Sequence, residues 1–176
     1  MAVPLRNSRA VTLQGINALD VYDKPRDVDI AFTTADGTAR GLSDYAGSGI
    51  VLNLWATWCV PCVAEMPSLD AFAQSMAKLG IKVLPLSSDR GGAHIVEAFY
   101  AEHAIKSLPV LLDPRSAAAK ALGVRGIPTT FIIDRQGRAV ASLEGTADWA
   151  STEAMAKIRQ LVGESSSPGK LGGGAA

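Results

Sequence analysis

The chain contains, at residues 49–67, the stretch GIVLNLWATWCVPCVAEMP, and most of its architecture can be predicted outward from there. The first seven residues form a nearly continuous apolar run of strand length, which is typical of a strand buried in the centre of a sheet. From Val63 to Met76, apolar residues recur at three- and four-residue steps, which predicts a helix with one face on that sheet. Gly80 stands where a helix commonly ends in a left-handed residue. Two cysteines therefore lie between a buried strand and a helix.

Cys59 and Cys62 fall at the N-terminus of this predicted helix. Unpaired backbone N–H groups and the helix dipole stabilise a thiolate there, and Cys-X-X-Cys sites lower the pKa of the first thiol from about 8.5 toward 3.5–7.5. Cys59 is the more N-terminal and the less enclosed of the two, so we expect it to be the nucleophile. Cys62 lies one turn further, close enough to attack a mixed disulfide on Cys59 and release the partner's thiol. Pro61 fits the first helical turn, where its missing N–H is harmless.

Two other uses of the cysteine pair must be weighed. A structural disulfide across so short a loop would remove little chain entropy and would stabilise little. A zinc site would need two more ligands, and the only histidines, His94 and His103, are not spaced to share one helical face. We therefore expect no metal site and no cofactor. Soft thiolates select Cu(I), which leaves copper binding by the pair as an alternative.

Composition narrows the class of protein. Among 176 residues, Lys plus Arg number 17 and Asp plus Glu number 17, so no broad positive field is expected to attract nucleic acid. The chain is long enough to bury roughly 70% of its extended surface in one domain without a disulfide scaffold. Its first twenty residues lack an apolar run of the length that a secretory leader (about 7–15 residues) or a membrane span (about 20) needs.

The remaining patterns alternate between strand and helix. Turn signals at Asp36-Gly37 and at residues 135–137 each predict a hairpin, with strands at 29–34, 38–42, 129–134 and 138–143. Further strands are expected at 81–86 and 108–112, with a bulge or early end at Pro85. Further helices are expected at 94–104, 117–122 and 150–162. The order of elements predicts an α/β sandwich with strands of mixed direction.

Three regions are expected along the chain. Residues 1–24 show no clean period and are expected to form an N-terminal arm. Residues 25–163 are expected to form the domain. Residues 164–176 are rich in Gly and Ser, have almost nothing to bury, and are expected to be a disordered tail.

The segments WATWCVPCVAEMP at 55–67 and GVRGIPTTFIIDRQG at 123–137 resemble the thioredoxin superfamily, specifically its extracytoplasmic TlpA/ResA/DsbE-type thiol:disulfide oxidoreductases. The specific signs are WCxPC after an apolar strand, a proline five residues past the second cysteine, and GIPT ahead of a hairpin. The resemblance covers residues 28–163. It implies a thioredoxin-like fold, in which helices flank a mixed β-sheet with an N-terminal β-hairpin extension, and disulfide exchange through Cys59 and Cys62.

The resemblance also assigns a substrate-binding surface. Ile127-Pro128 would be the cis-proline loop that faces the cysteines, with the Ile127 backbone free to pair with an extended substrate segment. Trp58, next to Cys59, is expected on the docking surface together with Pro61. These four residues are the expected substrate-binding positions.

Glu65 stands three residues after Cys62, where the ResA-like proteins carry a glutamate, and Asn53 stands where thioredoxin has a buried aspartate. Because Asn53 cannot exchange a proton, the resemblance implies that Glu65 acts on the proton of Cys62, one helical turn away. The alternative is a solvated glutamate that the helix dipole favours in the first turn. Trp55 is expected in the core, and Trp149 is expected only to pack the last helix.

For function, the resemblance implies a periplasmic, membrane-anchored and monomeric reductase, whose partners are client proteins with disulfides and a membrane electron donor. The resemblance is compatible with a role in cytochrome c maturation and with a role in the assembly of copper-containing oxidases. Val60-Pro61 favours reduction, because it holds no histidine or charge that would over-stabilise the thiolate. The alternative is a copper metallochaperone, although such chaperones show Cys-x3-Cys and a distant histidine. A thiol peroxidase would need a Pro-x3-Thr-x2-Cys segment, and residues 52–59 lack that proline.

Overall fold

The computed structural model describes residues 15–163, in which one sheet of eight strands is flanked by four helices. The strands are β1 (Asp20–Asp27), β2 (Ala31–Thr34), β3 (Ala39–Gly41), β4 (Gly49–Trp55), β5 (Ile81–Ser87), β6 (Leu111–Leu112), β7 (Thr129–Ile133) and β8 (Arg138–Glu144). The helices are α1 (Val60–Met76), α2 (Ala93–Glu102), α3 (Ala117–Ala121) and α4 (Thr152–Val162). The expected tail, 164–176, and residues 1–14 of the expected arm lie outside the described residues.

The sheet has mixed direction, in the order β1-β8-β7-β4-β5-β6-β2-β3. Strand β4 lies near its centre, parallel to β5 and antiparallel to β7, and all of its residues are buried. Both hairpins form where their turn signals predict them, β2–β3 and β7–β8, each with a glycine at positive φ in the turn. The mixed sheet flanked by helices, with an N-terminal hairpin at one edge, is confirmed.

The N-terminal region corrects the expected domain boundary. Residues 20–27 form β1, which pairs antiparallel with β8 at the edge of the sheet opposite the β2–β3 hairpin. The boundary expected between residues 24 and 25 therefore falls inside a strand. The sequence shows no period here because β1 has no buried face: only Tyr22 is half-buried, beneath the guanidinium of Arg26 at 3.9 Å.

Two strand predictions also need correction. Strand β5 keeps its register with β4 through Pro85 without a bulge and runs on to Ser87. The proline is tolerated because β6 pairs only with Leu86 and Ser87, so β5 has an unpaired edge at Pro85. The strand expected at 108–112 is shorter, because only β6 itself is paired.

Helix α1 carries the cysteine motif and begins as predicted. Cys59 is its N-cap, and Pro67 lies inside the helix, which continues to Met76. A short 3-10 turn, Ala77–Leu79, follows and ends at Gly80, whose φ of 65° is left-handed. Within residues 15–163, no helix has the length and apolar character needed to cross a bilayer.

Strand β4 sends its side chains alternately into two cores. Leu52 and Leu54 face one, and Val51 and Trp55 face the other, which α1 and α4 cover. Asn53 has the parity of Val51 and Trp55, so the period of two in a strand points it toward α1. One polar side chain therefore enters the core on the side that carries the cysteine helix.

Candidate active site

Cys59 and Cys62 are joined by a disulfide, with Cα atoms 5.2 Å apart. Because Cys59 is the N-cap of α1, its Sγ accepts a hydrogen bond from the backbone N–H of Cys62 at 3.3 Å. A backbone N–H donor at a helix N-terminus favours a thiolate on the sulfur that it bonds, so we expect it to favour a thiolate on Cys59 when the pair is reduced. Cys59 is 6% exposed and Cys62 is fully buried. The geometry agrees with Cys59 as the attacking residue, which stays a prediction.

The second segment of the motif meets the first at the cysteines. The Ile127–Pro128 peptide bond is cis, as the resemblance implies. The carbonyl oxygen of Ile127 lies 3.7 Å from Cys59 Sγ. Two segments that are 68 residues apart in sequence thus form one surface around the more exposed sulfur.

Apolar side chains flank this surface. Trp58 and Val60 are each 68% exposed, although both are large apolar residues next to Cys59. Pro61 follows them in the first turn of α1. By contrast Trp55 is fully buried and stacks on Tyr100, with ring centroids 6.0 Å apart, so its expected place in the core is confirmed.

Glu65 is fully buried, three residues after Cys62 on α1, and accepts three hydrogen bonds. Its Oε1 accepts from Asn53 Nδ2 at 2.9 Å. Its Oε2 accepts from the backbone N–H of Ala147 at 3.1 Å and from Trp149 Nε1 at 3.0 Å. The alternative of a solvated first-turn glutamate is therefore wrong. The carboxyl is held in place from β4 on one side and from the segment before α4 on the other.

Burial raises the pKa of Glu65 from an ordinary value of 4.5 to about 7, and the three hydrogen bonds oppose this rise only in part. Among residues 15–163, no cation forms an ion pair with this carboxyl. A carboxyl with such a pKa is ionised and protonated in comparable amounts near neutrality. It can therefore both accept and release a proton close to Cys62.

Trp149 has a larger role than its sequence position suggests. It is fully buried, and its ring meets the edge of Phe72 at 6.5 Å, so it does pack as expected. Its indole N–H also bonds Glu65, and its backbone N–H bonds Ser68 Oγ at 3.2 Å. The prediction of packing alone is thus incomplete, because Trp149 also holds the Glu65 carboxyl in place and ties the segment before α4 to α1.

The raised pKa makes stability depend on pH. The carboxyl binds its proton more tightly in the folded state (about 7) than in the unfolded state (4.5), so its contribution is complete below about pH 4.5. That contribution is lost as the pH rises through 7, a change of roughly 3 kcal/mol. Urea unfolding of the oxidised protein at pH 5 and pH 8 should show this fall, and Glu65→Gln should remove it. If the free energy of unfolding falls equally in Glu65→Gln, the pH dependence belongs to other groups. The control is Glu97→Gln, because Glu97 is an exposed glutamate.

Asp89 supports the loop before the cysteines, and sequence reasoning missed it. It is 4% exposed, and its carboxylate accepts from Thr57 N–H at 2.9 Å, from Thr57 Oγ1 at 2.6 Å and from Ser87 Oγ at 2.7 Å. Thr57 stands two residues before Cys59. The only signal in the sequence is a polar run, Ser87-Ser88-Asp89, directly after a buried strand, which is where side chains that serve a site commonly lie.

We expect Asp89→Ala to lower the free energy of unfolding by about 2 kcal/mol, because it leaves the part-buried N–H of Thr57 and the buried hydroxyl of Ser87 without their acceptor. Asp89→Asn should lower it much less. The amide oxygen can still accept from those two groups while its NH₂ donates to Thr57 Oγ1. Urea unfolding of the two variants checks this, and equal losses would assign the effect to the charge of Asp89 rather than to its hydrogen bonds.

The structure gives no metal-binding cluster in the part of the chain that it describes. Among residues 15–163, no three His, Cys, Asp or Glu side chains come together in a way that could hold a metal ion. The ring of His103 instead stacks on that of Phe99, with the ring centroids 4.0 Å apart. The two cysteines of the chain, Cys59 and Cys62, are therefore the thiol ligands that Cu(I) could find here.

The fold and the site define a thioredoxin-like protein whose working group is a dithiol/disulfide pair at a helix N-terminus. Residues 25–142 match the model of the AhpC/TSA family, and the chain belongs to that family. Curated relatives include the thiol-disulfide oxidoreductase ResA of Geobacillus thermodenitrificans, 31% identical over 118 residues, and that of Geobacillus kaustophilus, 33% identical over 118 residues. Each match covers 67% of this chain and 67% of the relative.

Solved structures agree with these relatives. The exposed lipoprotein thioredoxin Etrx1 of Streptococcus pneumoniae has a TM-score of 0.63 and 29% identity, covering 76% of this chain and 100% of that one. A Chlorobium tepidum protein assigned to the thiol:disulfide interchange protein DsbE has a TM-score of 0.64 and 26% identity, covering 80% of this chain and 95% of that one. The activity of this chain is therefore thiol:disulfide oxidoreduction, and its Cys-X-X-Cys pair is at disulfide distance.

Proposed function

We propose that this protein is a periplasmic, membrane-tethered reductase of client-protein disulfides that acts in cytochrome c maturation or in the assembly of copper-containing oxidases. The observation that carries the proposal is the surface around Cys59. There the sulfur lies 3.7 Å from the carbonyl oxygen of Ile127, and the residues on either side of Cys59 in the sequence, Trp58 and Val60, expose apolar side chains. An extended client segment can pair with the Ile127 backbone while its apolar side chains cover Trp58.

The chemistry moves two electrons to the client. The thiolate of reduced Cys59 attacks one sulfur of the client disulfide, forms a mixed disulfide and releases the other client sulfur as a thiolate. Cys62 gives its proton to Glu65 and attacks Cys59 Sγ. That attack releases the second client thiolate and leaves the Cys59–Cys62 disulfide. A membrane-bound dithiol donor then reduces this disulfide for the next cycle.

The direction of exchange follows from the residues between the cysteines. Val60 and Pro61 bring neither a histidine nor a charge to the thiolate, so the reduced state is not over-stabilised. We expect a reduction potential nearer that of thioredoxin, about −270 mV, than that of DsbA, about −120 mV. The name of the pneumococcal relative, an exposed lipoprotein, supports a place outside the cytoplasm and a tether to the membrane.

Three assays on the purified protein test the proposal. Insulin-disulfide reduction should be rapid, peroxide turnover should be absent, and equilibration with glutathione should give a potential well below that of DsbA.

Trapping with Cys62→Ser in the native host should leave clients bound through Cys59, with the double variant Cys59→Ser/Cys62→Ser as the control. Tight Cu(I) binding by a reduced protein that does not reduce insulin would favour the copper chaperone instead.

We expect Trp58→Ala to raise KM for a disulfide-bearing client several-fold while leaving the free energy of unfolding unchanged, because the indole is exposed and packs on little in the free protein. Leu79→Ala is the matched control. Leu79 is also an exposed apolar residue, but it follows the C-terminal end of α1, away from the cysteines. If both variants have the wild-type KM, the surface around Cys59 does not dock clients through Trp58.

A further inference from the structure

The side-chain amide of Asn53 bonds the buried carboxyl of Glu65 through its nitrogen, while its oxygen has no hydrogen-bond partner among the described residues. Its Nδ2 donates to Glu65 Oε1 and to Thr130 Oγ1, each at 2.9 Å. Its Oδ1 is buried and has no hydrogen-bond partner among residues 15–163. Nearly all buried polar atoms in folded proteins are paired, so an amide with one end used twice and the other end unused requires a reason.

The partners of Glu65 restrict where its proton can sit. Oε2 accepts from the N–H of Ala147 and from the indole N–H of Trp149, and neither donor can accept a proton in return. A proton on Oε2 would therefore point at two donors. Oε1 faces only the Asn53 amide, which is the one partner that also carries an acceptor. The acid form must be protonated on Oε1, yet in this structure Oε1 faces Nδ2, which is a donor.

We propose that Asn53 is a positioning residue whose side-chain amide makes a half-turn when Glu65 gains a proton. With Glu65 ionised, Nδ2 donates to Oε1, as in this structure. With Oε1 protonated, the turned amide presents Oδ1, which accepts from Oε1–H, and the Thr130 hydroxyl changes from acceptor to donor toward Oδ1. Each orientation leaves one end of the amide unpaired, Oδ1 with the carboxylate and Nδ2 with the acid.

The rotation itself transfers no proton. The proton on Oε1 comes from solvent in a titration and, if Glu65 has its proposed role, from the Cys62 thiol during resolution, so the catalytic use of the half-turn rests on the proposed function. During resolution, Asn53 would stabilise Glu65 both as the carboxylate that receives the proton and as the carboxylic acid that results. A fixed donor at this position, in contrast, would favour the carboxylate alone and would hinder protonation.

The groups that face Glu65 from the neighbouring elements do not interfere with the titration of its carboxyl. Cys62, one turn earlier on α1, is in the disulfide of the oxidised protein. The hydrogen-bond partners of the Glu65 carboxyl are Asn53 from β4 and Ala147 and Trp149 from the segment before α4, and Thr130 on β7 bonds Asn53. None of these four residues titrates near neutrality. Asp148 in that segment is exposed and accepts from the N–H of Ala150 at 3.1 Å instead. Burial holds the pKa of Glu65 at about 7, so both forms can be populated between pH 6 and 8.

The test is an NMR titration of the oxidised wild-type protein. The chain has three asparagines, Asn7, Asn17 and Asn53, so selective ¹⁵N labelling gives three side-chain amides. Asn17 is exposed and serves as an internal control. At high pH we expect a nuclear Overhauser effect from the Asn53 NH₂ to the Thr130 side chain. It should be lost as the pH falls, with the same midpoint as the ¹³Cδ shift of Glu65.

Glu65→Gln mimics the acid form and provides the matched variant. Its amide oxygen must face Ala147 and Trp149, which places its NH₂ against Asn53 and requires the turned amide. The nuclear Overhauser effect between the Asn53 NH₂ and the Thr130 side chain should then be absent at every pH. An effect that persists through the Glu65 titration, or a Glu65 carboxyl that does not titrate between pH 5 and 8.5, would overturn the proposal. Failure of the catalytic role is seen separately, as a pH–rate profile that Glu65→Gln leaves unchanged.

Discussion

Cys59→Ser is expected to abolish disulfide exchange while leaving the protein folded. The nucleophile is lost, because a serine hydroxyl is not ionised near neutrality and cannot attack a disulfide sulfur. The N-cap is kept, because serine is one of the best N-cap residues and its oxygen can accept from the Cys62 N–H as Sγ does. Insulin reduction and urea unfolding measured on the same preparation separate these two effects.

Cys62→Ser is the matched variant, and it should fail at a different step. Cys59 still attacks, but no second thiol resolves the mixed disulfide, so the complex accumulates and turnover stops after one event. Alkylation by iodoacetamide across pH tests the assignment directly. Faster alkylation of Cys62 than of Cys59 in the reduced wild-type protein would reverse the two roles, although Cys62 is the fully buried residue.

Glu65→Gln is expected to slow resolution by about 10²-fold, the scale on which a positioned base contributes to a proton-transfer step. In the wild type the rate should rise as the pH passes through 7, because burial raises the pKa of Glu65 to about 7 and the carboxylate is the form that takes the Cys62 proton. In the variant that rise should move to higher pH, where the buried thiol loses its proton to water unaided.

The kinetic control for this variant is Glu97→Gln. Glu97 lies exposed on α2, so its substitution makes the same carboxyl-to-amide change on a different helix and should leave the profile unchanged. Stopped-flow measurement of client-thiol release from the mixed disulfide reads the step itself. A pH–rate profile that is the same in Glu65→Gln and wild type would leave the proton of Cys62 to water alone.

Local sequence patterns predicted the elements that carry the site. The apolar run at Gly49–Trp55, the helical period after Cys62 and the glycines of the two hairpins each report on a few neighbouring residues, and the structure forms an element at each. The pairing of the second motif segment with the cysteines came from the resemblance, since no local pattern joins residues 68 positions apart. Strand β1 could not be seen, because an exposed edge strand has no hydrophobic period.

The sequence by itself determined the redox pair, the strand before it and the helix that holds it, because spacing along one element places residues at fixed distances. Only the tertiary structure decided the environment of Glu65. Its spacing puts it near Cys62, but its burial depends on Asn53 from β4 and on Ala147 and Trp149, which arrive from more than 80 residues away. Strand order and register bring those donors together, and a carboxyl acquires a raised pKa only from the surroundings that the assembled core provides.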